Sequence, residues 1–125
     1  MKRVLVIDDE KDFNYFIKYN LQFINPDFRV LTASAGKAGI RKAIREKPDI
    51  ILLDIMMPKM NGYEVLKKLK KSEKTLSIPV VMLSAKCDEE SMIEASGLFC
   101  EDYMTKPINL NELRAKIDEV LSRFD

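Results

Sequence analysis

Residues 4–10 read Val4-Leu5-Val6-Ile7-Asp8-Asp9-Glu10, so that four apolar residues run directly into three acidic ones. A second run of the same kind, Ile50-Ile51-Leu52-Leu53, leads straight into Asp54. Short continuous apolar runs are typical of strands that are buried on both faces of a sheet. Polar groups that follow such strands meet in one crevice of an open α/β sheet. The two runs therefore predict a buried parallel sheet with an acidic cluster at its carboxyl edge.

Outward from these runs, strand-like segments alternate with segments of helical spacing along the whole chain. Strands are predicted over residues 3–7, 28–32, 50–54, 79–83 and 101–104. Helices are predicted between them, over residues 13–24, 36–47 and 89–98, in a short segment that contains Val65, Leu66 and Leu69, and from Asn109 to the end. Five strand–helix units predict one α/β domain over residues 1–125, in which helices cover both faces of a parallel sheet.

Residues that recur every three or four positions predict which helix faces point inward. In the first helix they are Phe13, Phe16, Ile17, Leu21 and Ile24. In the third helix they are Val65, Leu66 and Leu69. In the last helix they are Leu113, Ile117, Val120, Leu121 and Phe124. Asn109 and Glu112 have the spacing of a capping box at the start of that helix.

Composition excludes several classes of function. The 21 basic and 20 acidic residues nearly balance, which argues against a direct nucleic-acid surface. No apolar run approaches the roughly 20 residues of a membrane span, and residues 1–3 are too short for a signal peptide. Without histidine, the chain has no histidine base or histidine metal ligand. Cys87 and Cys100 have no metal or disulfide spacing, and we expect a cytoplasmic protein with free thiols.

The strand ends predict a site for phosphoryl transfer. Asp54 follows the central apolar run, where an exposed carboxylate can act as a nucleophile. Asp8 and Asp9 end the neighbouring strand and add the oxygen ligands that Mg²⁺ prefers. Lys106 follows the fifth strand and offers a compact positive charge, and Ser84 ends the fourth strand and offers a hydroxyl group. Positioning and charge neutralisation of this kind are what phosphoryl transfer requires.

Each of these residues also fits an ordinary structural role. An aspartate after a strand, such as Asp54, is often a turn residue or a helix cap. The acids of residues 8–10 could begin a helix, where the helix dipole favours negative charge. Lys106 could lie on the surface, and Ser84 could be a cap. Their shared placement at the carboxyl ends of predicted parallel strands favours a common site.

The motifs resemble those of response-regulator receiver domains of two-component signalling, over essentially the whole chain. The matching segments are Val6-Ile7-Asp8-Asp9-Glu10, residues 53–62 (LDIMMPKMNG), Ser84-Ala85-Lys86 and residues 102–107 (DYMTKP). Ser84 lies 30 residues after Asp54, and Lys106 lies 22 residues after Ser84, as in that family. The resemblance implies a flavodoxin-like, doubly wound (βα)5 fold with strand order 2-1-3-4-5.

The resemblance also implies residue roles. Asp54 would accept a phosphoryl group from a sensor histidine kinase or a histidine phosphotransfer protein. Lys106 and Ser84 would contact the phosphoryl oxygens. Mg²⁺, or Mn²⁺ in its place, would bind Asp9, Asp54 and the backbone carbonyl of Met56, and Asp8 would act mainly through water.

A switch is implied as well. Tyr103 matches the switch aromatic residue, and Ala85 matches the small neighbour that leaves room for its ring. The face formed by the fourth predicted helix, the fifth strand and the last helix would then signal to an effector protein, or to an output domain absent from this chain. Such a domain catalyses only its own phosphorylation and dephosphorylation, and it is a monomer or a phosphorylation-dependent dimer. Phe99 and Cys100 depart from the family, which commonly has a Gly-Ala pair there.

Three other classes of protein share part of this sequence pattern. A haloacid-dehalogenase-type phosphatase would need a second acid where Met56 stands. A flavin-binding module would need a Ser/Thr-rich phosphate loop where residues 8–10 are acidic. A degenerate receiver that acts as a phosphorylation-independent docking module would be separated from the main reading by a phosphorylation assay.

Overall fold

The computed structural model describes residues 1–85 and 100–124 of the chain. Its strands are β1 (Lys2–Ile7), β2 (Phe28–Ala33), β3 (Ile50–Asp54), β4 (Val80–Ser84) and β5 (Asp102–Thr105). Its helices are α1 (Lys11–Ile24), α2 (Gly36–Glu46), α3 (Gly62–Lys71) and a C-terminal helix, Leu110–Ser122. These bounds confirm the predicted alternation to within a residue or two, except that the C-terminal helix ends at Ser122 and not at Asp125. The helix predicted over residues 89–98 lies outside the described residues.

The sheet is parallel throughout and has the order β2-β1-β3-β4-β5. Ile7 of β1 is level with Leu53 of β3, so that the residues after both strands emerge side by side. Consecutive strands step outward in opposite directions from the boundary between β1 and β3. This boundary is the topological switch point at which open α/β sheets form their crevice.

Alternate residues of the central strands pack into two separate core layers. Val4 and Val6 of β1 and Leu52 of β3 pack with α1 and the C-terminal helix. Leu5 and Ile7 face the other way and pack with the α2 and α3 side of the sheet. All five residues of β3 are buried. A strand that is covered on both faces has no polar face, which is why residues 50–53 are uninterruptedly apolar.

Polar side chains define where the helices begin. Asn61 caps α3 by accepting a hydrogen bond from the N–H of Glu64, and the Glu64 carboxylate accepts one from the N–H of Asn61, which completes a capping box. At the C-terminal helix, Asn109 Oδ1 accepts a hydrogen bond of 3.0 Å from the N–H of Glu112, which is one half of the capping box that the sequence predicted. The donors that the first helical turn leaves free are partly satisfied in this way.

Two aromatic residues predicted to face inward are exposed, and these predictions were wrong. Phe16 is 45% exposed because the inner face of α1 is centred on Asn14, Ile17 and Leu21. Phe124 is 50% exposed because the C-terminal helix ends at Ser122, before its inner stripe reaches that position. The other inner residues predicted for the C-terminal helix and for α3 are buried. No helix among the described residues is long and apolar enough to cross a membrane.

Candidate functional site

Three carboxylates meet at the carboxyl edge of the sheet. Asp8 follows β1 and Asp54 ends β3, and since these strands are neighbours the two side chains lie close together. One oxygen each of Asp8, Asp9 and Asp54 fits within 4.8 Å of the others. Asp8 is fully buried and Asp54 is only 3% exposed, while Asp9 is more open to solvent. The predicted acidic cluster is therefore present, with its most open side at Asp9.

Lys106 lies among these acids. Its Nζ is 2.7 Å from Asp8 Oδ2, 3.6 Å from Asp54 Oδ1 and 4.0 Å from Glu10 Oε1. The same nitrogen lies 4.2 Å from the centre of the Phe13 ring. The Lys106 side chain is only 15% exposed, so its charge is held inside the site and offsets the repulsion between the carboxylates.

Burial and neighbouring charge raise the pKa of Asp54 to about 6, from an ordinary value of 3.8. Burial is the largest cause, and repulsion from Asp8, with a smaller part from Asp9, acts in the same direction. The Lys106 charge and a hydrogen bond from the backbone N–H of Met56 act in the opposite direction. The ionised carboxylate is thus destabilised in the folded protein, and a bound cation would relieve that cost.

The pKa of Lys106 is shifted upward. Burial alone would lower it, but the hydrogen bond to Asp8 and attraction to Asp8, Asp54 and Glu10 together outweigh burial. The lysine therefore stays protonated at neutral pH and can donate hydrogen bonds to an anion brought to Asp54.

The chemistry of the donors fits a hard divalent cation. All three side chains of the cluster offer carboxylate oxygens, and Mg²⁺ binds through one or two carboxylates while it keeps several waters. Met56 follows Asp54 by two residues, and its side chain is 62% exposed. The backbone N–H of Met56 donates a hydrogen bond to the Asp54 carboxyl group. The role of the Met56 carbonyl as a metal ligand stays a prediction.

Ser84 and Ala85 lie at the same edge. Ser84 ends β4, is buried, and its carbonyl accepts a hydrogen bond of 2.6 Å from the N–H of Lys106. Ala85 follows it and is exposed. Tyr103 lies on β5 beside Met82 of β4, half-buried, and packs against the core layer of α2 and α3. The structure therefore brings the predicted acids and Lys106 together, with Ser84 beside them and Tyr103 lower on the next strand.

Three neighbours of the site were not predicted as such. Gly62 begins α3, and a Cβ there would lie 2.4 Å from the Asp54 carbonyl oxygen, so only glycine lets α3 approach so closely. The amide nitrogen of Asn14 donates to the Asp8 carbonyl at 2.8 Å and holds the turn after β1. Phe13 is a third neighbour, for which the helical spacing predicts only a core position. The Asn61-Gly62 pair gave a signal for the first, but none distinguished the other two from ordinary helix residues.

Of the two residues that depart from the family pattern, Cys100 lies within the described part of the chain and Phe99 lies outside it. Cys100 is a free, half-buried thiol packed against the core layer of α2 and α3. Burial raises the pKa of this thiol, and the nearby Asp102 acts in the same direction. Only the Cys100 position of this departure therefore has a structural setting.

Comparison with known proteins identifies the family. The response regulator receiver domain family matches residues 4–118. The alkaline phosphatase synthesis regulator PhoP of Bacillus subtilis is 40% identical over 99% of this chain and 50% of its own length. The master transcriptional regulator RpaA of Synechocystis is 35% identical over 100% of this chain and 51% of its own length. The phosphate regulon regulator PhoB of Pseudomonas aeruginosa is 35% identical over 98% of this chain and 52% of its own length.

Solved receiver structures superpose closely on this chain. The receiver domain of the Francisella response regulator 1452 has a TM-score of 0.89 and 32% identity, with 100% of both chains covered. The chemotaxis protein CheY4 of Vibrio cholerae has a TM-score of 0.90 and 27% identity, covering 96% of this chain and 98% of its own. The chain spans about half the length of the curated relatives named above. It belongs to the response regulator receiver domain family and is a receiver domain of two-component signalling.

Proposed function

We propose that Asp54 is the phosphoacceptor of this receiver domain, which acts as one unit over residues 1–125. The observation that supports it is the cluster of Asp8, Asp9, Asp54 and Lys106 at the carboxyl edge of the sheet. An Asp54 oxygen attacks the phosphorus of a phosphohistidine on a sensor kinase or phosphotransfer protein. The N–P bond breaks as the O–P bond forms, and the partner histidine is released.

Two neighbours are assigned to the transferred group. Lys106 already lies 3.6 Å from Asp54 and is protonated, so it can donate to one phosphoryl oxygen. The Ser84 hydroxyl is proposed to donate to another. In phosphoryl transfer the positioning of such donors does most of the catalysis, and the protein has little covalent chemistry to perform. We propose no reaction beyond the domain's own phosphorylation and dephosphorylation.

The acid cluster is proposed to hold Mg²⁺, which Mn²⁺ could replace. Asp9, Asp54 and the Met56 carbonyl would be direct ligands, and Asp8 would act mainly through water. The ion supplies positive charge against which the carboxylates and the incoming phosphoryl group can approach one another. Within the cluster, Asp9 is more open to solvent than Asp8 and Asp54, and the ion can enter there.

The output is proposed to pass through β5 and the C-terminal helix to an effector protein or an output domain. Asp102 of β5 and Lys116 of that helix form an ion pair of 2.8 Å, which joins the two elements. The relatives named above are transcriptional regulators about twice as long as this chain, which makes a transcriptional process the first candidate. The cytoplasmic location inferred from the sequence stays a prediction.

The test is phosphorylation by a small donor. Wild-type protein, Asp54→Asn and Asp9→Asn are incubated with phosphoramidate and Mg²⁺, and intact mass is followed over time. We expect one phosphoryl adduct on the wild type, none on Asp54→Asn, and strongly slowed addition on Asp9→Asn. The adduct is labile in base, and chelation of Mg²⁺ before the donor is added prevents it. An equal mass gain in wild type and Asp54→Asn would exclude Asp54 as the acceptor.

The second candidate is a docking module that works without phosphorylation. It is favoured if no adduct forms with small donors and none forms with cognate or non-cognate phosphorylated kinases. The observation against it is that every acceptor-site residue type of the family is present in this chain, with Lys106 Nζ 2.7 Å from Asp8 and 3.6 Å from Asp54.

A further inference from the structure

We propose that Phe13 is a positioning residue for Lys106, and that its ring holds the lysine ammonium over the acid cluster. The inference rests on the proposed role of Lys106 in phosphoryl transfer, but its geometry can be tested separately. Lys106 Nζ lies 4.2 Å from the centre of the Phe13 ring, within the distance at which a cation is attracted to the face of an aromatic ring.

The ring is placed by the fold. Phe13 is the third residue of α1, which begins directly after the acids that follow β1. It is half-buried and packs against the core layer between the sheet, α1 and the C-terminal helix. One side of the ring is therefore fixed by the core while the ring as a whole reaches the site. A residue anchored in this way can restrict a flexible lysine better than an exposed one can.

The restriction matters because Lys106 has competing partners. Asp8 and Asp54 are almost fully buried, while Glu10 is exposed and its Oε1 is also within 4.0 Å of Nζ. A lysine side chain has many rotamers and is strongly hydrated, so it favours positions that reach water. Without the ring, the ammonium is free to turn toward Glu10 and solvent, away from Asp54. With the ring in place, it stays among Asp8, Asp54 and the aromatic face.

The free energy of a partly desolvated cation–π contact is large enough to change the fraction of time that the Lys106 ammonium lies next to Asp54. We expect its loss to reduce the maximal phosphorylation rate about three- to tenfold. The donor concentration that gives half the maximal rate and the affinity for Mg²⁺ should change less than about twofold, because Phe13 is neither a proposed metal ligand nor a hydrogen-bond donor to the phosphoryl group. Phe13→Tyr keeps an aromatic face and should stay near the wild-type rate.

The direct test is an NMR measurement on metal-free protein. The side-chain signals of Lys106, from Hε to the ammonium protons, should lie upfield of other lysines because the ring current of Phe13 shields them. In Phe13→Leu these signals should return to ordinary positions, and in Phe13→Tyr they should stay shielded. Leu110→Ala is the matched control, because Leu110 packs against the same core layer as Phe13 and begins the C-terminal helix. It should leave the Lys106 signals unchanged.

The kinetic test uses the same variants and one double variant. If the exposed acid draws Lys106 away, Glu10→Gln should restore much of the rate in the Phe13→Leu background while it changes the wild-type rate little. Rates come from intact-mass time courses at saturating Mg²⁺. A Phe13→Leu rate equal to wild type, or an equal loss in Phe13→Leu and Leu110→Ala, overturns the proposal. Unshielded Lys106 signals in the wild type also overturn the proposal. Because the NMR test does not depend on phosphorylation, a failure of this proposal can be distinguished from a failure of the assignment of Asp54 as acceptor.

Discussion

The Asp54 carboxyl group makes the stability of the metal-free protein depend on pH. Its pKa is about 6 in the folded protein against 3.8 ordinarily, because burial and the Asp8 charge disfavour ionisation. The folded state therefore holds this proton more tightly than the unfolded chain does. The resulting stabilisation is fully present below about pH 4 and is lost as pH rises through about 6.

We accordingly expect Asp54→Asn to stabilise the metal-free protein at pH 7.5, by about 1–2 kcal/mol. The neutral amide removes the charge that burial penalises, while Lys106 keeps its 2.7 Å contact with Asp8. The difference from wild type should shrink toward zero as pH falls to 4. Urea denaturation with a chelator present, at several pH values between 4 and 8, measures both. A stabilisation that does not vary with pH would mean that Asp54 does not titrate as inferred.

At the scale of one element, α1 carries apolar or aromatic residues on two faces, one buried and one exposed. Ile17 and Leu21 are fully buried against the sheet, while Tyr15, Tyr19 and Phe23 form an exposed aromatic stripe. The Tyr15 and Tyr19 rings contact each other with centroids 4.2 Å apart. Apolar character alone therefore does not report which face of this helix stabilises the fold.

Substitutions on the two faces should have very different costs. Leu21→Ala should lower the free energy of unfolding by about 2–5 kcal/mol, because it leaves a cavity in the core layer. Phe23→Lys should change it by less than about 0.5 kcal/mol, since Phe23 is 88% exposed. Urea denaturation of both variants, compared with wild type, gives the two values. A cost above 2 kcal/mol for Phe23→Lys would show that this ring has a partner within the fold.

The strands and α1 show which features of the fold can be predicted from the sequence and which cannot. Strands were found accurately because their apolar runs, such as residues 50–53, are short, continuous and followed by an acid. Spacing placed Ile17 and Leu21 correctly but also admitted Phe16, since one helical position changes direction by about 100°. Asn14 is 95% buried or more, yet its type predicts a surface position. Its burial depends on the Asp8 and Ala33 carbonyls that only the fold brings to it.

The candidate site likewise has features that the sequence predicts and features that it does not. Asp8, Asp54 and Lys106 could be predicted because each follows a strand and parallel strands end at one edge. The contact of Lys106 with Phe13 and Glu10 could not be, because it depends on the path of a long side chain across the end of β4. The close approach of Gly62 to the Asp54 carbonyl likewise requires the packing of α3.

For the whole molecule, metal binding should be coupled to folding through the acid cluster. The cluster forms only when β1 and β3 are paired, so Mg²⁺ that binds there stabilises the folded state. At 100 times its dissociation constant the ion should add about 2.7 kcal/mol, which raises the melting temperature by about 10 °C in a domain of this size. Asp9→Asn should raise the metal-free melting temperature slightly and reduce the Mg²⁺ response. Thermal scans with and without Mg²⁺ measure both, and an undiminished response in Asp9→Asn would remove Asp9 from the site.

Signalling from the proposed acceptor site requires that phosphorylation there change a distant surface. Ser84 at the site and Tyr103 on β5 are joined through the β4–β5 pairing, in which Ser84 lies opposite Thr105 and Met82 opposite Tyr103. Tyr103 is half-buried and packs against the core layer of α2 and α3. We expect a hydrogen bond from Ser84 to a phosphoryl oxygen to open space beside Ala85 and draw the Tyr103 ring further inward.

A beryllofluoride mimic of the phosphoryl group, added with Mg²⁺, should therefore shift the NMR signals of the Tyr103 ring and of the β5 backbone. A difference of only a few kcal/mol between the two arrangements is enough for the mimic to shift the population. Ala85→Leu should suppress the Tyr103 shift while Asp54 is still occupied, because Ala85 is exposed and a larger side chain there fills the space without disturbing the core. Tyr103 signals that are identical with and without the mimic would mean that this ring does not carry the signal. A partner that binds the inward arrangement would, by linkage, favour the phosphorylated form to the same degree that phosphorylation favours the partner.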